Sequence, residues 1–425
     1  MGRALSPAGV PAGRRVMAAL MAVLTAGLAA GCASGASGTR VVNLYNAPQE
    51  SIGAIAARCN REAHGRYRIV VNTLPRSADD QREQLVRRLA ARDSGLDVLG
   101  LDVTWTAELA QAGWIREWTG RYGAEARKGT LPGPLATATW EGRLYAAPYN
   151  TNVQLLWYRS DLIPRPPSTW AGLIKESERL AAEGKPHYGE VTGAQFEGLV
   201  VWFNSLVASA GGRILSPDGR RVELGPSAVT ALQTIRAFAR SKAAADPSIS
   251  NTKEDDARLA VESGRGAYEI NWPFVYASMA SLQPKLVKKF KWAPYPGITG
   301  PGRAPLGGAN FAVSRYSAQP DAAFQAALCL RDPESQRTAA ISDGLPPAVE
   351  SVYWAPGMAK AYPMRQAILD SLRNAAARPM TPTYQNVSTV TAVRLSPPSA
   401  IDPPRTLRSL RGLIEDALQS KGVLP

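Results

Sequence analysis

The sequence predicts an α/β protein of two lobes, each a mostly parallel sheet flanked by helices, with the lobes joined by hinge strands. Three observations carry this class. A chain of 425 residues, 45% hydrophobic and 20% charged, has globular composition and exceeds what one ordinary core holds. Between Arg40 and Leu101 the pattern alternates strand, helix, strand, helix, strand, which folds as a parallel sheet with right-handed crossovers. Two later segments read as strands crossing between lobes: Leu144 to Tyr158, which is apolar around a polar Tyr149-Asn150-Thr151-Asn152 centre, and Asn310 to Ser314. The implied boundaries are 41–150 with 309–350 for one lobe and 151–308 with 351–425 for the other.

Taken in order, Arg40 to Tyr45 (RVVNLY) is a short apolar strand, and Ser51 to Ala63 carries apolar residues at helical period with Ser51 placed to cap it. Tyr67 to Thr73 is the second strand, Asp79 to Arg92 an amphipathic helix, and Leu96 to Leu101 the third strand. Beyond the first crossing come helices over Trp170 to Glu183, Leu199 to Ala210 and Pro226 to Lys242, with a hairpin turning at Pro217-Asp218-Gly219. Thr252 with Asp255 fits a capping box ahead of Ala257 to Glu262. Gly264 stops that helix, Ala267 to Ile270 is a strand, and a loop follows Asn271-Trp272-Pro273-Phe274. Lys291 to Pro296 is a further strand, Pro320 to Leu330 a helix, and the remainder is helical apart from a polar-aromatic break at Arg378 to Tyr384.

The amino terminus reads differently. Arg14 and Arg15 precede an apolar run, Val16 to Ala30, that is shorter than a membrane span and ends in Leu28-Ala29-Ala30-Gly31-Cys32. This resembles a bacterial lipoprotein signal over 1–31, with the Cys32 thiol as lipid acceptor and 32–40 as a flexible tether; a short transmembrane anchor is the alternative. The lipid would hold the mature chain on the extracytoplasmic face of the cell membrane. The net charge of +14 is dispersed along the chain, which argues against a nucleic-acid surface and leaves open a basic face toward anionic lipid. In an oxidising compartment Cys59 and Cys329 pair naturally as one disulfide, two separate buried thiols being the alternative. With His64 and His187 the only histidines, neither a histidine metal site nor Ser-His-Asp catalysis has raw material, and no metal or cofactor is expected.

Candidate site residues gather at strand ends, where open α/β sheets bind ligands. Asp102 follows the third strand and precedes a helix, so it either caps that helix or accepts hydrogen bonds from a ligand. Trp272 and Phe274 lie where Ala267 to Ile270 runs out, and they are either a ligand platform or a core plug under a loop. Glu254 either decorates a helix start or looks into a cleft, and Glu269, inside its strand, reads as a supporting or solvent-facing group.

The motif order LDVLGLDVTWTAELAQAGWI, LPGPLATATWEGRLYAAPYNTN, QLLWYRSDLI with PPSTW, VESGRGAYEINWPFV, APYPG, GGANFAVS and DGLPPAV resembles the extracytoplasmic solute-binding proteins of ABC sugar importers. Within them it is most similar to the branch of maltose- and trehalose-binding proteins. The resemblance implies a two-lobed periplasmic-binding-protein fold that closes over a sugar, no catalysis, a membrane permease as partner and a monomeric chain. By motif it implies a ligand set of Asp102, Asn152, Glu254, Trp272, Phe274, Gly308 and Arg378, with Glu50 after the first strand. The implied ligand is a disaccharide, trehalose first, with maltose, a maltodextrin or another disaccharide as alternative. Such a sugar needs carboxylates, Asn or Arg for its hydroxyl rim and an aromatic for its C–H face. A glycoside hydrolase pairing Asp102 with Glu254 is the reading from another class; neither acid has a second acid at motif spacing.

Overall fold

Apolar runs bounded by polar turns place the strands, and the computed structural model, which describes residues 39–421, shows where each ends. They are β1 (Arg40–Asn46), β2 (Tyr67–Thr73), β3 (Val98–Asp102), β4 (Thr139–Trp140), β5 (Arg143–Leu144), β6 (Ala147–Val153), β7 (Leu155–Arg159), β8 (Tyr188–Glu190), β9 (Gly266–Asn271), β10 (Phe290–Ala293) and β11 (Leu306–Val313). The leader over 1–31, the lipid acceptor Cys32 and the tether to residue 38 lie outside the described residues. No helix among the described residues is long and apolar enough to cross a membrane.

One sheet runs β2-β1-β3-β11-β6 and a second runs β10-β7-β9-β8, with β4 and β5 forming a small ribbon. In the first, β1 and β3 are parallel with Leu44 opposite Val98, and β11 runs antiparallel to both β3 and β6. In the second, β7 is antiparallel to β9 and β10, and only β8 runs parallel to β9. The α/β class holds, and the expectation of mostly parallel sheets is refined to mixed ones. Helical crossovers make neighbours parallel; β11 enters the first sheet by a return path instead and therefore runs against its neighbours.

Each sheet has its own core. Val42, Leu44, Ile55, Leu99, Phe311 and Ala323 belong to one cluster, and Leu155, Trp157, Phe203, Phe238, Tyr268 and Ile368 belong to the other. Trp157 is fully enclosed and stacks on Phe290 with ring centroids 5.6 Å apart. Each such side chain contributes about 1.5–3 kcal/mol by leaving water. The chain leaves the first core between Tyr149 and Val153 and returns to it between Ala304 and Phe311, so β6 and β11 carry the crossing. Cys59 and Cys329 form a disulfide with Cα atoms 5.8 Å apart, joining the helices Ile52–Glu62 and Pro320–Leu330.

Three local readings change. Ser51 makes no side-chain cap on the helix Ile52–Glu62; its N–H and its hydroxyl both donate to the Asp343 carboxylate. The segment after Pro273 is a helix, Phe274–Leu282, where a loop was expected. The cap of the helix Glu254–Glu262 falls one residue later than Thr252: the Lys253 N–H donates to the Asp256 carboxylate at 2.9 Å. Thr252 instead donates its hydroxyl to the Ser248 carbonyl at 3.2 Å.

Candidate ligand site at the strand ends

Asp102 is the last residue of β3, and its Oδ1 accepts the backbone N–H of Thr104 at 3.0 Å and the Thr104 hydroxyl at 2.8 Å. The same oxygen accepts Arg378 Nη2 at 3.2 Å. Asp102 therefore closes the turn ahead of the helix Thr106–Gln111, whose N-cap position is Trp105 and carries no side-chain cap, and its carboxylate holds the arginine as well. Arg378 comes from the polar-aromatic break, and its side chain is only 3% exposed against 26% for Asp102. Its Nη1 donates to Glu197 Oε1 at 2.6 Å.

Glu197, which the sequence reading left out of the site, is the hub of this cluster. It stands in the first turn of the helix Glu197–Ser209, accepts the Tyr384 hydroxyl at 2.6 Å, and accepts the Ser388 hydroxyl through its other oxygen. Burial pushes the Glu197 carboxyl up, opposed by the Arg378 charge and the hydroxyl bonds. Arg378 loses by burial and gains more from Asp102 and Glu197, so its guanidinium is held charged. Among the described residues the Arg378 Nε has no partner, which leaves an enclosed donor inside a cluster rich in acceptors. An arginine forked between carboxylates from two cores is a bridge that lysine cannot reproduce.

Glu254 begins the helix Glu254–Glu262 half-buried, and its carboxyl is pushed up to about 7, chiefly by burial, with the negative charges of Asp255 and Glu197 adding to the rise. The Glu254 carbonyl accepts the Asn271 amide at 2.9 Å, which ties the start of this helix to the end of β9. Of the two readings of Glu269, the solvent-facing one falls and the supporting one stands: the residue is fully buried, it accepts the Asn271 amide at 2.7 Å, and burial pushes its carboxyl up to about 8.

Trp272 is half-buried and lies against the crossing strand. A Cβ on Gly307 would sit 2.9 Å from Trp272 Cη2 and Cζ3 and 3.3 Å from Asn152 Cβ, so the absent side chain makes room for the indole beside Asn152. Asn152 Oδ1 is enclosed and has no partner among the described residues. Gly308 has φ +128°, and a Cβ there would meet the Asn150 carbonyl at 2.6 Å, so its glycine is required by the backbone of the crossing itself. Phe274 opens its helix half-buried, with its Cα 2.8 Å from where a Cβ on Gly344 would stand. Glu50 is exposed; its neighbour Gln49 instead binds Ser51 and the Tyr149 hydroxyl.

A cavity of about 480 Å³ has Val103, Leu131, Leu306, Leu372, Met380 and Arg378 in its wall. Leu306, in this wall, immediately precedes Gly307, against which the Trp272 indole lies. Near the disulfide, Glu62 and Asp332 approach the Cys329 sulfur, but both carboxylates are bridged by Arg58 at 2.8–2.9 Å and the sulfur is bonded to Cys59.

Two cores joined by crossing strands, with Asp102 and Glu197 linked through Arg378, put the chain in the two-lobed α/β class. Residues 47–337 match the bacterial extracellular solute-binding protein family, and the chain belongs to it. A relative from Deinococcus radiodurans, described as a probable ABC transporter-binding protein, is 29% identical over 364 residues, covering 80% of this chain and 84% of that protein. Maltose-bound MalE3 of T. maritima superposes with a TM-score of 0.80 at 26% identity, over 88% of this chain and 98% of that one. The GacH receptor of Streptomyces glaucescens shares the fold with a TM-score of 0.79 at 19% identity, over 90% of this chain and 100% of that one.

Proposed function

We infer that this chain is the sugar-capturing component of an ABC importer, enclosing a disaccharide between its two halves and handing it to a membrane permease. Trehalose is the proposed ligand, on the motif resemblance to the mycobacterial trehalose-binding lipoprotein LpqY. Maltose or a maltodextrin is the competing ligand, and the likeness to a maltose-bound structure favours keeping it in the comparison. The observation that carries the reading is Arg378, buried and forked between Asp102 and Glu197, together with Trp272, half-buried beside Asn152 and tied through Asn271 to the helix start at Glu254. Such a cluster supplies donors and acceptors for hydroxyl pairs, and a half-buried indole supplies a face for C–H groups. A buried polar group left unpaired costs about 1–3 kcal/mol, which is how the site would reject sugars lacking the matching hydroxyl.

In this reading the halves 41–150 with 309–350 and 151–308 with 351–425 move as lobes about β6 and β11. Cys32 carries the lipid that keeps the chain at the extracytoplasmic surface, and the chain acts as a monomer without catalysis. Calorimetric titration with trehalose, maltose and sucrose tests the ligand: heat with trehalose and none with the others is expected, and silence with trehalose removes that assignment. Glucose released from trehalose by the protein would replace the binding reading with hydrolysis.

A further inference from the structure

Asn271 ends β9 with both polar atoms of its side chain engaged. Its Nδ2 donates to Glu269 Oε2 at 2.7 Å and to the Glu254 carbonyl at 2.9 Å, and its Oδ1 accepts the Trp272 N–H at 2.9 Å. Its own carbonyl accepts Trp157 Nε1 at 2.8 Å. Glu269 lies two residues earlier on the same strand and so on the same face, and both residues are 0% exposed. Across the sheet Glu269 stands opposite Glu190 on β8 and Trp157 on β7.

Burying an amide and a carboxyl inside a sheet is costly unless each is hydrogen-bonded, and an apolar pair would fill the same strand without that cost. What the polar pair does that an apolar one cannot is hold two separate elements at once. One arm of the Asn271 amide grips the first turn of the helix that begins at Glu254, and its carbonyl oxygen grips the backbone of Trp272. Glu269 takes the remaining amide hydrogen and thereby fixes which way the amide faces. Reversing the amide would set its NH2 against the Trp272 N–H and its oxygen against the Glu254 carbonyl, losing both grips.

We propose that Asn271, oriented by Glu269, is the positioning residue that fixes Trp272 and Glu254 relative to each other, so that the indole and the acid are presented to the ligand as one unit. Its consequence for affinity rests on the disaccharide reading; its geometry does not. The test uses the full mature chain labelled with 5-fluorotryptophan, with the Trp272 fluorine resonance assigned from Trp272→Phe, and calorimetry with trehalose and maltose alongside. Asn271→Ala and Glu269→Ala should each displace the Trp272 resonance and raise Kd by about tenfold or more, while Glu269→Gln, which keeps an acceptor for the amide, should stay within about twofold of the parent in both. An Asn271→Ala protein with an unmoved Trp272 resonance overturns the proposal, as does a Glu269→Gln protein that behaves like Glu269→Ala. If Asn271→Ala fails to fold, the contrast between the two Glu269 variants decides alone. If the parent binds neither sugar, the disaccharide reading falls, and the fluorine displacement still decides the positioning claim.

Discussion

Trp272 and Arg378 set the character of the site by opposite means. Trp272 is half-buried against a glycine, so truncating it removes a face without opening a packed core. Trp272→Ala is therefore expected to weaken disaccharide binding by more than about tenfold while leaving the thermal midpoint nearly unchanged, since an aromatic face contributes at the ligand and little to the fold. An unfolded Trp272→Ala protein would instead make the indole a core plug. Arg378 works from inside, where its fork supplies the positive charge to two carboxylates whose other partners, Thr104 for Asp102 and Tyr384 and Ser388 for Glu197, are neutral. In Arg378→Lys a single ammonium reaches one of them, so affinity should drop and stability should fall by about 1–3 kcal/mol in chemical denaturation. Unchanged affinity would take Arg378 out of the site.

The crossing formed by β6 and β11 is where the backbone itself is specialised. Asn150 Oδ1 accepts the Ala309 N–H at 2.8 Å where the register of the two strands shifts, and Gly308 passes that point at φ +128°. Gly308→Ala places a Cβ against backbone that cannot move aside, and about 1–3 kcal/mol of stability should be lost. Urea denaturation measures it, and a neutral result would mean that the strand relaxes at that point. Much of this level was readable from local pattern: β2 spans Tyr67–Thr73 as the apolar run predicts, and the strand before Trp272 runs Gly266–Asn271, one residue beyond the Ala267 to Ile270 run at each end. The helix Phe274–Leu282 was not readable, because FVYASMASL has no polar period to reveal one face. Glu197 was missed for a different reason. Alone it is an acid in a helix's first turn, and it becomes a hub only through Arg378, Tyr384 and Ser388, which lie 181, 187 and 191 residues further along the chain.

Across the whole molecule the two cores meet through charged and polar pairs. Arg378 reaches Asp102 at 3.2 Å, Gln385 Nε2 donates to Asp79 at 3.2 Å, and Arg76 lies 3.4 Å from Asp255. The last pair is largely solvated and contributes little by itself. A stronger electrostatic signature comes from acids that the fold keeps neutral. Burial pushes Glu190 and Glu269 from an ordinary 4.5 up to about 8 and Glu254 up to about 7. Asp246 adds to the rise at Glu190 and Arg265 opposes it, while at Glu269 the charges of Glu190 and Glu262 add and Arg258 opposes. All three folded values are raised, so between pH 4.5 and about 8 the folded chain keeps protons that the unfolded chain has released. Their stabilising contribution is therefore complete below pH 4.5 and is lost as pH rises through 7 to 8. Asp161 acts on the acid side: Arg159 holds it at about 2, below its ordinary 3.8, so its contribution is present above 3.8 and lost as pH falls toward 2. The thermal midpoint should accordingly peak near pH 4 to 5 from these groups and decline toward pH 8. Replacing Glu190 and Glu269 together by Gln removes two titrating protons while keeping the side-chain shapes, and should flatten that decline in a scan of thermal midpoint against pH. A decline as steep as the parent's would show that these two carboxyls are already ionised within the folded sheet.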